Sequence, residues 1–187
     1  MQIKKLIGAK VYLSPRNPDD YEIFTKWMND LEVTKGLTSS HRIFTFTDEK
    51  NYLSMDSNQS ESHFMIVDNE SDKTIGSTAL MDIDYINRTA TLGVFIGDKD
   101  FWGKGYGSDA INLILDFGFN IHNLNSIKLH VYDYNERAIK CYEKLGFKVV
   151  GRLRESKIVC NKKYDDIIMD MLSSEFESKY IKKFYND

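Results

Sequence analysis

The chain has 187 residues, of which 42% are hydrophobic and 28% charged, as is typical of one globular domain with a core of its own. Its net charge of −3, with no basic block, gives no indication of a nucleic-acid-binding surface. No apolar run approaches the length of a membrane span, and the two cysteines, Cys141 and Cys160, indicate neither a disulfide framework nor a zinc site. We therefore expect a cytoplasmic protein without nucleic-acid or membrane partners and without a bound metal.

The first half of the chain predicts a strand, two helices and a meander of three strands. Lys10–Arg16 alternates as a strand does, and Pro18–Asp20 begins a helix with aromatic residues at helical spacing. Thr47–Met55 predicts a second, shorter helix, and the polar stretch Ser57–Ser62 predicts a linker. The three strands, joined by polar turns, are predicted at residues 63–68, 73–83 and 90–96.

The centre of the chain combines three glycines with the start of an amphipathic helix. Gly103, Gly105 and Gly107 stand at alternate positions after a predicted strand, and apolar residues then recur at helical spacing from Ala110 to Ile121. This order favours anion binding, because glycines allow close backbone approach and the first N–H groups of a helix point at the ligand. A diphosphate is the natural ligand, although a plain glycine-rich turn would have the same composition.

Two well-known phosphate-binding patterns do not fit this loop. A P-loop requires Gly-Lys-Ser/Thr, whereas Lys104 is followed by Gly105. The dinucleotide fingerprint requires Gly-x-Gly-x-x-Gly, and the glycine spacing here departs from it. The segment Trp102–Gly107 instead resembles the diphosphate-binding loop of the Gcn5-related N-acetyltransferases (GNATs), Gln/Arg-x-x-Gly-x-Gly/Ala, with Trp102 in the Gln/Arg position.

The last third of the chain contains a second motif of that family. After a predicted strand at Ile127–Tyr132, the segment Asn135–Phe147 resembles the cofactor motif Asn-x-x-Ala-x-x-x-Tyr-x-x-x-Gly-Phe. Two motifs in the expected order are more specific than either alone. The resemblance covers residues 10–172 and is strongest to the branch that contains the ribosomal-protein N-terminal acetyltransferases and the spermidine acetyltransferases.

The remaining elements complete the order of that family. A hairpin is predicted from Lys148–Leu153 to Asp165–Leu172 with its turn near Asn161–Lys163, and Ser173–Asp187 is predicted to be a polar helix or a solvated tail. This order indicates an α/β (α+β) mixed sheet. The resemblance implies the GNAT fold, a splayed, mostly antiparallel central sheet flanked by helices. We expect residues 1–9 to be an extension, 10–172 the transferase domain and 173–187 the C-terminal segment.

The resemblance implies that an acetyl group moves from acetyl-CoA to a primary amine by direct attack in a ternary complex. The acceptor would be a protein N-terminus, a polyamine or another small amine. An acetyl-CoA-binding sensor or scaffold without turnover is the alternative, and a nucleotide-binding regulatory domain is a second one. A homodimer is left open.

The resemblance also implies the site residues. Backbone N–H groups of the glycine loop would bind the diphosphate, and the end of the preceding strand would pair with pantetheine. Asn135 would bind the pantetheine arm, cap its helix, or do both. Tyr142 would protonate the departing thiolate, whereas spacing alone predicts a core residue. The cofactor residues are Val94, Phe95, Ile96, Trp102, Gly103, Lys104, Gly105, Tyr106, Gly107, Ser108, Asn135 and Tyr142.

A general base is not evident from the sequence. The related branch often has Glu at the position of Thr91, and threonine cannot act as a base. Asp82 is the catalytic candidate, with Asp84 on the same strand face as its neighbour, although both also fit a solvated strand end. A chain of waters would serve as well. Asp82, Asp84, Asp165 and Asp166 would suit a cationic acceptor.

Overall fold

A computed structural model describes residues 2–55 and 60–185. The chain divides into two compact units, the first formed by Met1–Ala79 and Val94–Ile114, the second by Leu80–Gly93 and Leu115–Asp187. In the described chain, no helix has the length and hydropathy needed to cross a bilayer. Residues 57–59 of the predicted linker Ser57–Ser62 lie outside the described residues, and Ser62 already begins a strand.

The first unit consists of short strands and helices from the N-terminal part of the chain. They are β1 (Leu6–Ile7), β2 (Val11–Pro15), α1 (Tyr21–Met28), α2 (Leu31–Thr34), α3 (Phe46–Ser54) and β3 (Ser62–Asp68). The unit also contains the first part of β4 (Thr74–Asp84), the end of β5 (Thr89–Ile96) and the start of α4 (Tyr106–Asn120). Its strands are hydrogen-bonded in the order β1-β2-β3-β4-β5, and β2 is antiparallel to β3.

Local capping sets the helices of the first unit, and an aromatic cluster holds them on the strands. Asn17 caps a 3₁₀ turn that leads into α1, with a proline at its first position. Thr45 and Asp48 form a capping box, so α3 begins at Phe46, one residue earlier than predicted. The core of this unit comprises Tyr12, Phe24, Trp27, Val33, Leu53, Met65 and Val67.

The second unit consists of the remainder of β4, β5 and α4, followed by four further elements. These are β6 (Ser126–Tyr132), α5 (Glu136–Leu145), β7 (Lys148–Val159) and β8 (Lys162–Leu172). Its strands are hydrogen-bonded in the order β4-β5-β6-β8-β7, in which β5 and β6 are parallel while β8 is antiparallel to both β6 and β7. The predicted mixed α/β class and mostly antiparallel sheet are thereby confirmed.

The last hairpin is longer than predicted. Its turn is formed by Cys160 and Asn161, with φ values of 50° and 59°, so both residues have the left-handed conformation of a type I′ turn. Strand β7 continues to Val159 rather than ending at Leu153. Its register shifts after Val149 and again after Leu153, and these irregularities break the alternation on which the prediction depended.

The C-terminal segment is neither the predicted helix nor a solvated tail over its described part. It contains two 3₁₀ turns, Ser173–Glu175 and Lys182–Phe184. Asp116 of α4, which is 0% exposed, accepts hydrogen bonds from the backbone N–H groups of Tyr180 (2.8 Å) and Ile181 (3.0 Å). The segment is therefore tied to a buried carboxylate of its own unit.

Candidate active site

The glycine loop lies in the first unit and leads directly into α4. Gly103 and Gly105 have φ values of +71° and +87°, which L-amino acids with side chains rarely adopt. Gly103, Lys104 and Gly105 are all exposed, and nothing lies within 4 Å of where a Cβ of Gly103 would be. The loop is therefore an open turn whose backbone conformation depends on glycine.

The backbone amides of this loop are the groups that the sequence predicted would bind a diphosphate. In the described chain, no acceptor pairs with the N–H groups of Gly103, Lys104, Gly105, Tyr106 and Gly107. Two of them, Tyr106 and Gly107, belong to the start of α4, where the helix dipole is positive. Successive unpaired N–H groups at this end of a helix are suited to bind phosphate oxygens.

Two aromatic residues before the loop hold it in place. The indole Nε1 of Trp102 donates a hydrogen bond to the carbonyl of Ile96 at 2.7 Å. Phe101 packs edge-on against Tyr106, with ring centroids 4.8 Å apart. The expectation that Ile96 has free backbone groups for pantetheine is thus wrong for its carbonyl, because the side chain of Trp102 already occupies that acceptor.

The pairing of β5 with β6 stops before the end of β5. The parallel register of β5 with β6 covers Thr89, Ala90 and Thr91 and continues no further. Val94 and Phe95, which lie in the first unit, come after that register ends. Their backbone groups on that side of the strand remain our candidates for the coenzyme arm.

Helix α5 of the second unit begins as the sequence predicted. The side-chain oxygen of Asn135 accepts a hydrogen bond from the N–H of Ala138 at 3.4 Å, and Gly146, with φ 102°, ends the helix. In the described chain the Nδ2 amide of Asn135 has no acceptor. The side chain therefore caps the helix with its oxygen and has two N–H donors left for a ligand.

Tyr142 lies two helical turns after Asn135 on α5. Its ring packs against Phe147 at a centroid distance of 5.8 Å. Within residues 2–55 and 60–185 its hydroxyl makes no hydrogen bond. Burial, and then the neighbouring Cys141, raise the pKa of Tyr142 to about 12, so the phenol stays protonated at neutral pH. This is the protonation state that a general acid requires.

The two candidate bases on β4, both in the second unit, have different surroundings. Asp84 accepts hydrogen bonds from the backbone N–H groups of Ile86 and Asn87 and from the Asn87 side-chain amide. The bonds from Asn87 lower the pKa of Asp84, which makes it a turn-forming residue and a weak base. Asp82 is exposed and has φ 51°, so it interrupts the regular strand.

The acidic pair on β8 is already engaged by basic partners of its own unit. Arg152 Nη1 donates to Asp165 at 2.7 Å, and Asp166 pairs with His130 Nδ1 at 2.8 Å. Hydrogen bonds from the backbone N–H of Glu155 and from Arg152 lower the pKa of Asp165. These two carboxylates therefore bind side chains of the sheet, which makes them less suitable to bind a cationic amine acceptor.

Asp109 is a residue of this region whose role sequence reasoning missed. It lies in the first turn of α4, is 8% exposed, and accepts hydrogen bonds from the N–H groups of Lys10 (2.7 Å) and Val11 (3.1 Å). The start of β2 is thereby joined to the helix that follows the glycine loop. An acid in a first helical turn is a common signal, but its partners are almost one hundred positions away in the chain.

The mixed sheet, and in the first unit the turn of backbone amides suited to phosphate, are typical of a transferase that uses a phosphorylated coenzyme. The acetyltransferase (GNAT) domain family matches residues 10–148, and the chain belongs to that family. It is an N-acetyltransferase that uses acetyl-CoA as co-substrate.

The most informative relatives are bacterial. The chain is 30% identical over 183 residues to an uncharacterized N-acetyltransferase p20 from Bacillus licheniformis, covering 93% of this chain and 99% of the relative. It is 30% identical over 164 residues to spermidine N(1)-acetyltransferase from Vibrio cholerae, covering 82% and 91% of the two chains. A solved structure of the Vibrio cholerae spermidine N-acetyltransferase with CoA and spermine has a TM-score of 0.79 at 28% identity, covering 88% of this chain and 96% of that one.

Proposed function

We propose that residues 10–172 catalyse direct transfer of the acetyl group from acetyl-CoA to a primary amine in a ternary complex. The row of unpaired amides from Gly103 to Gly107 is the observation that carries this proposal, because it provides donors for the coenzyme diphosphate. Trp102 supports the loop, and Lys104 and Ser108 belong to the same cradle. Val94, Phe95 and the free amide of Asn135 bind the pantetheine arm.

The proposed chemistry uses one side chain as an acid. The amine nitrogen attacks the thioester carbonyl carbon, the C–S bond breaks, and the thiolate of CoA takes the proton of the Tyr142 hydroxyl. The proton lost by the amine leaves through Asp82 or through water. Tyr142 carries its proton at neutral pH, since the ordinary pKa of a phenol is already 10 and burial raises that of Tyr142 to about 12. The resulting phenolate regains its proton from solvent before the next turnover.

We propose a polyamine as the acceptor. The support is similarity to spermidine N(1)-acetyltransferase from Vibrio cholerae, which extends over 82% of this chain. Exposed Asp82 provides a negative charge of the kind that a polycation would prefer. A protein N-terminus is the competing acceptor, and an assay of both kinds of amine distinguishes the two possibilities.

The test has two stages. CoA should raise the melting temperature, since a ligand at 100 times its Kd stabilises the folded state by about 2.7 kcal/mol, whereas NAD and ATP should do much less. Thiol release from acetyl-CoA is then measured with spermidine, spermine, an aminoglycoside and a short peptide with a free N-terminus. We expect release with the polyamines. Binding of CoA without release from any amine would favour the sensor alternative, and equal stabilisation by NAD would contradict the coenzyme assignment.

We further propose that the protein works in the cytoplasm as a homodimer. Acetyl-CoA is supplied inside cells, and in the described chain neither Cys141 nor Cys160 forms a disulfide, as suits a reducing compartment. The support for self-association is structural. The edge strand β7 of the second unit has several exposed apolar residues: Val149, Val150, Leu153, Ile158 and Val159. Light scattering should give twice the chain mass of 21.8 kDa, and Val150→Lys should shift it towards the monomer. A monomeric parent protein would refute the assembly.

A further inference from the structure

A lysine that immediately precedes β2 lies beside the glycine loop in the first unit. The side-chain Cε of Lys10 is 3.8 Å from where a Cβ of Gly105 would be. Its Nζ is 5.1 Å from the ring centroid of Tyr106, a cation–π distance. Lys10 is exposed, so its ammonium group stands at the open side of the loop.

The backbone of this lysine is fixed by the first turn of α4. Asp109 Oδ2 accepts the N–H groups of both Lys10 and Val11. The carbonyl of Lys10 accepts the N–H of Asn69 at 3.0 Å. With both of its peptide groups bound, Lys10 starts from a defined position next to the loop, and only its flexible side chain has to adjust to a ligand.

The charge of Lys10 is not neutralised by a close partner. In the part of the chain that the structure describes, no carboxylate lies within 4 Å of its Nζ. Burial and the charges of Asp68 and Glu70 raise the pKa of Tyr106, which shows that acids act on this end of the helix. An anion that binds here would be opposed by those acids, and a cation beside the loop would offset them.

We propose that Lys10 binds a phosphate of the coenzyme and thereby makes the enzyme prefer CoA thioesters over shorter pantetheine thioesters. This rests on the proposed function, since it extends the same diphosphate site by one charged side chain. The amides of the loop provide directional hydrogen bonds. Lys10 adds a full positive charge, which the neutral amides cannot supply.

The experiment compares three variants of the full-length protein. Lys10→Met removes the charge, Lys10→Arg keeps it, and Lys26→Met removes another exposed lysine, in α1, as a matched control. Calorimetry should show that Lys10→Met weakens CoA binding about ten-fold, the size of one exposed charge-assisted contact. Lys10→Arg and Lys26→Met should stay within about three-fold of the parent protein, because their charge at the loop is unchanged. Melting temperatures without ligand should be equal in all four proteins.

Two shortened ligands identify the phosphate that is bound. If the loss in Lys10→Met persists with dephospho-CoA, the contact is to the diphosphate, and if it disappears, the contact is to the 3′-phosphate. With S-acetylpantetheine, which has neither group, Lys10→Met and the parent protein should have the same kcat/KM. Equal CoA affinity of Lys10→Met and the parent, or equal losses with S-acetylpantetheine, would overturn the inference. Failure of the parent protein to bind CoA would instead contradict the proposed function.

Discussion

The glycine loop allows a prediction in which two neighbouring substitutions act in opposite directions. Gly105, the last residue before α4, has φ +87°, whereas Gly107 lies inside the helix. Gly105→Ala must place a Cβ on a backbone that L-amino acids rarely adopt. Gly107→Ala adds a Cβ 3.6 Å from the side chain of Ile96, which is ordinary van der Waals contact, in a segment where alanine is the better helix former.

The magnitudes follow from backbone energetics. The left-handed conformation costs an alanine about 1–2 kcal/mol, so Gly105→Ala should lower the melting temperature by about 2–8 °C in a protein of this size. Gly107→Ala should stabilise the protein by up to about 1 kcal/mol, because alanine loses less backbone entropy than glycine in a helix. If the loop of Gly105→Ala relaxes, its amides no longer converge, and loss of one hydrogen bond to a charged phosphate weakens CoA binding about ten-fold or more.

Urea denaturation and calorimetry with CoA test both effects in the same samples. We expect Gly105→Ala to lose stability and affinity, and Gly107→Ala to gain stability and keep its CoA affinity within about three-fold. Equal stability changes in the two variants would refute the assigned conformations. Unchanged CoA affinity in Gly105→Ala would show that the coenzyme does not depend on this loop.

Three further measurements test the site and its surroundings. Tyr142→Phe should lower kcat by about 10²–10⁴-fold if the whole general-acid contribution is lost, with CoA affinity unchanged; kcat within about two-fold of the parent would remove Tyr142 from the mechanism. Burial raises the pKa of Tyr142 to about 12, so the stability that its protonated hydroxyl gives the folded state is complete below pH 10 and is lost as the pH rises towards 12. The phenylalanine of Tyr142→Phe does not ionise, so at pH 11 the free energy of unfolding of this variant should have gained about 1 kcal/mol relative to that of the parent. Urea denaturation that finds the same stability difference between Tyr142→Phe and the parent at pH 8 and at pH 11 would contradict this expectation. Asp116→Ala leaves the N–H groups of Tyr180 and Ile181 without their acceptor and should cost about 3 kcal/mol, with faster tryptic cleavage at Lys179; unchanged melting and cleavage would contradict the anchoring role.

The prediction of local structure around the candidate site was most accurate where that structure depends on neighbouring residues. The loop glycines adopt the conformations that their type permits, Asn135 caps α5, and Gly146 ends it. Such features depend on backbone angles and on hydrogen bonds over three or four residues, so a motif in the sequence is enough to place them.

Contacts between distant residues were the part that could not be predicted. The indole of Trp102 takes the carbonyl of Ile96, which the sequence left available to pantetheine. The carboxylate of Asp84 accepts hydrogen bonds from the backbone of a turn, and the two acidic residues of β8 bind Arg152 and His130. Three of the carboxylates that were expected to suit a cationic acceptor therefore already have partners within the protein. The residue type indicates that a group can form a hydrogen bond or an ion pair, but only the packing of the chain determines its partner.

The sequence by itself determined the family, the order of the main strands and helices, the glycine turn at Gly103–Gly107 and the position of the tyrosine in the second motif, because each depends on short-range spacing. The tertiary structure decided the raised pKa of Tyr142, the anchoring of the C-terminal segment on Asp116 and the position of Lys10 beside Gly105. Burial and long-range approach set these three properties. They arise from the packing of segments that lie far apart in the chain, and no local pattern carries that information.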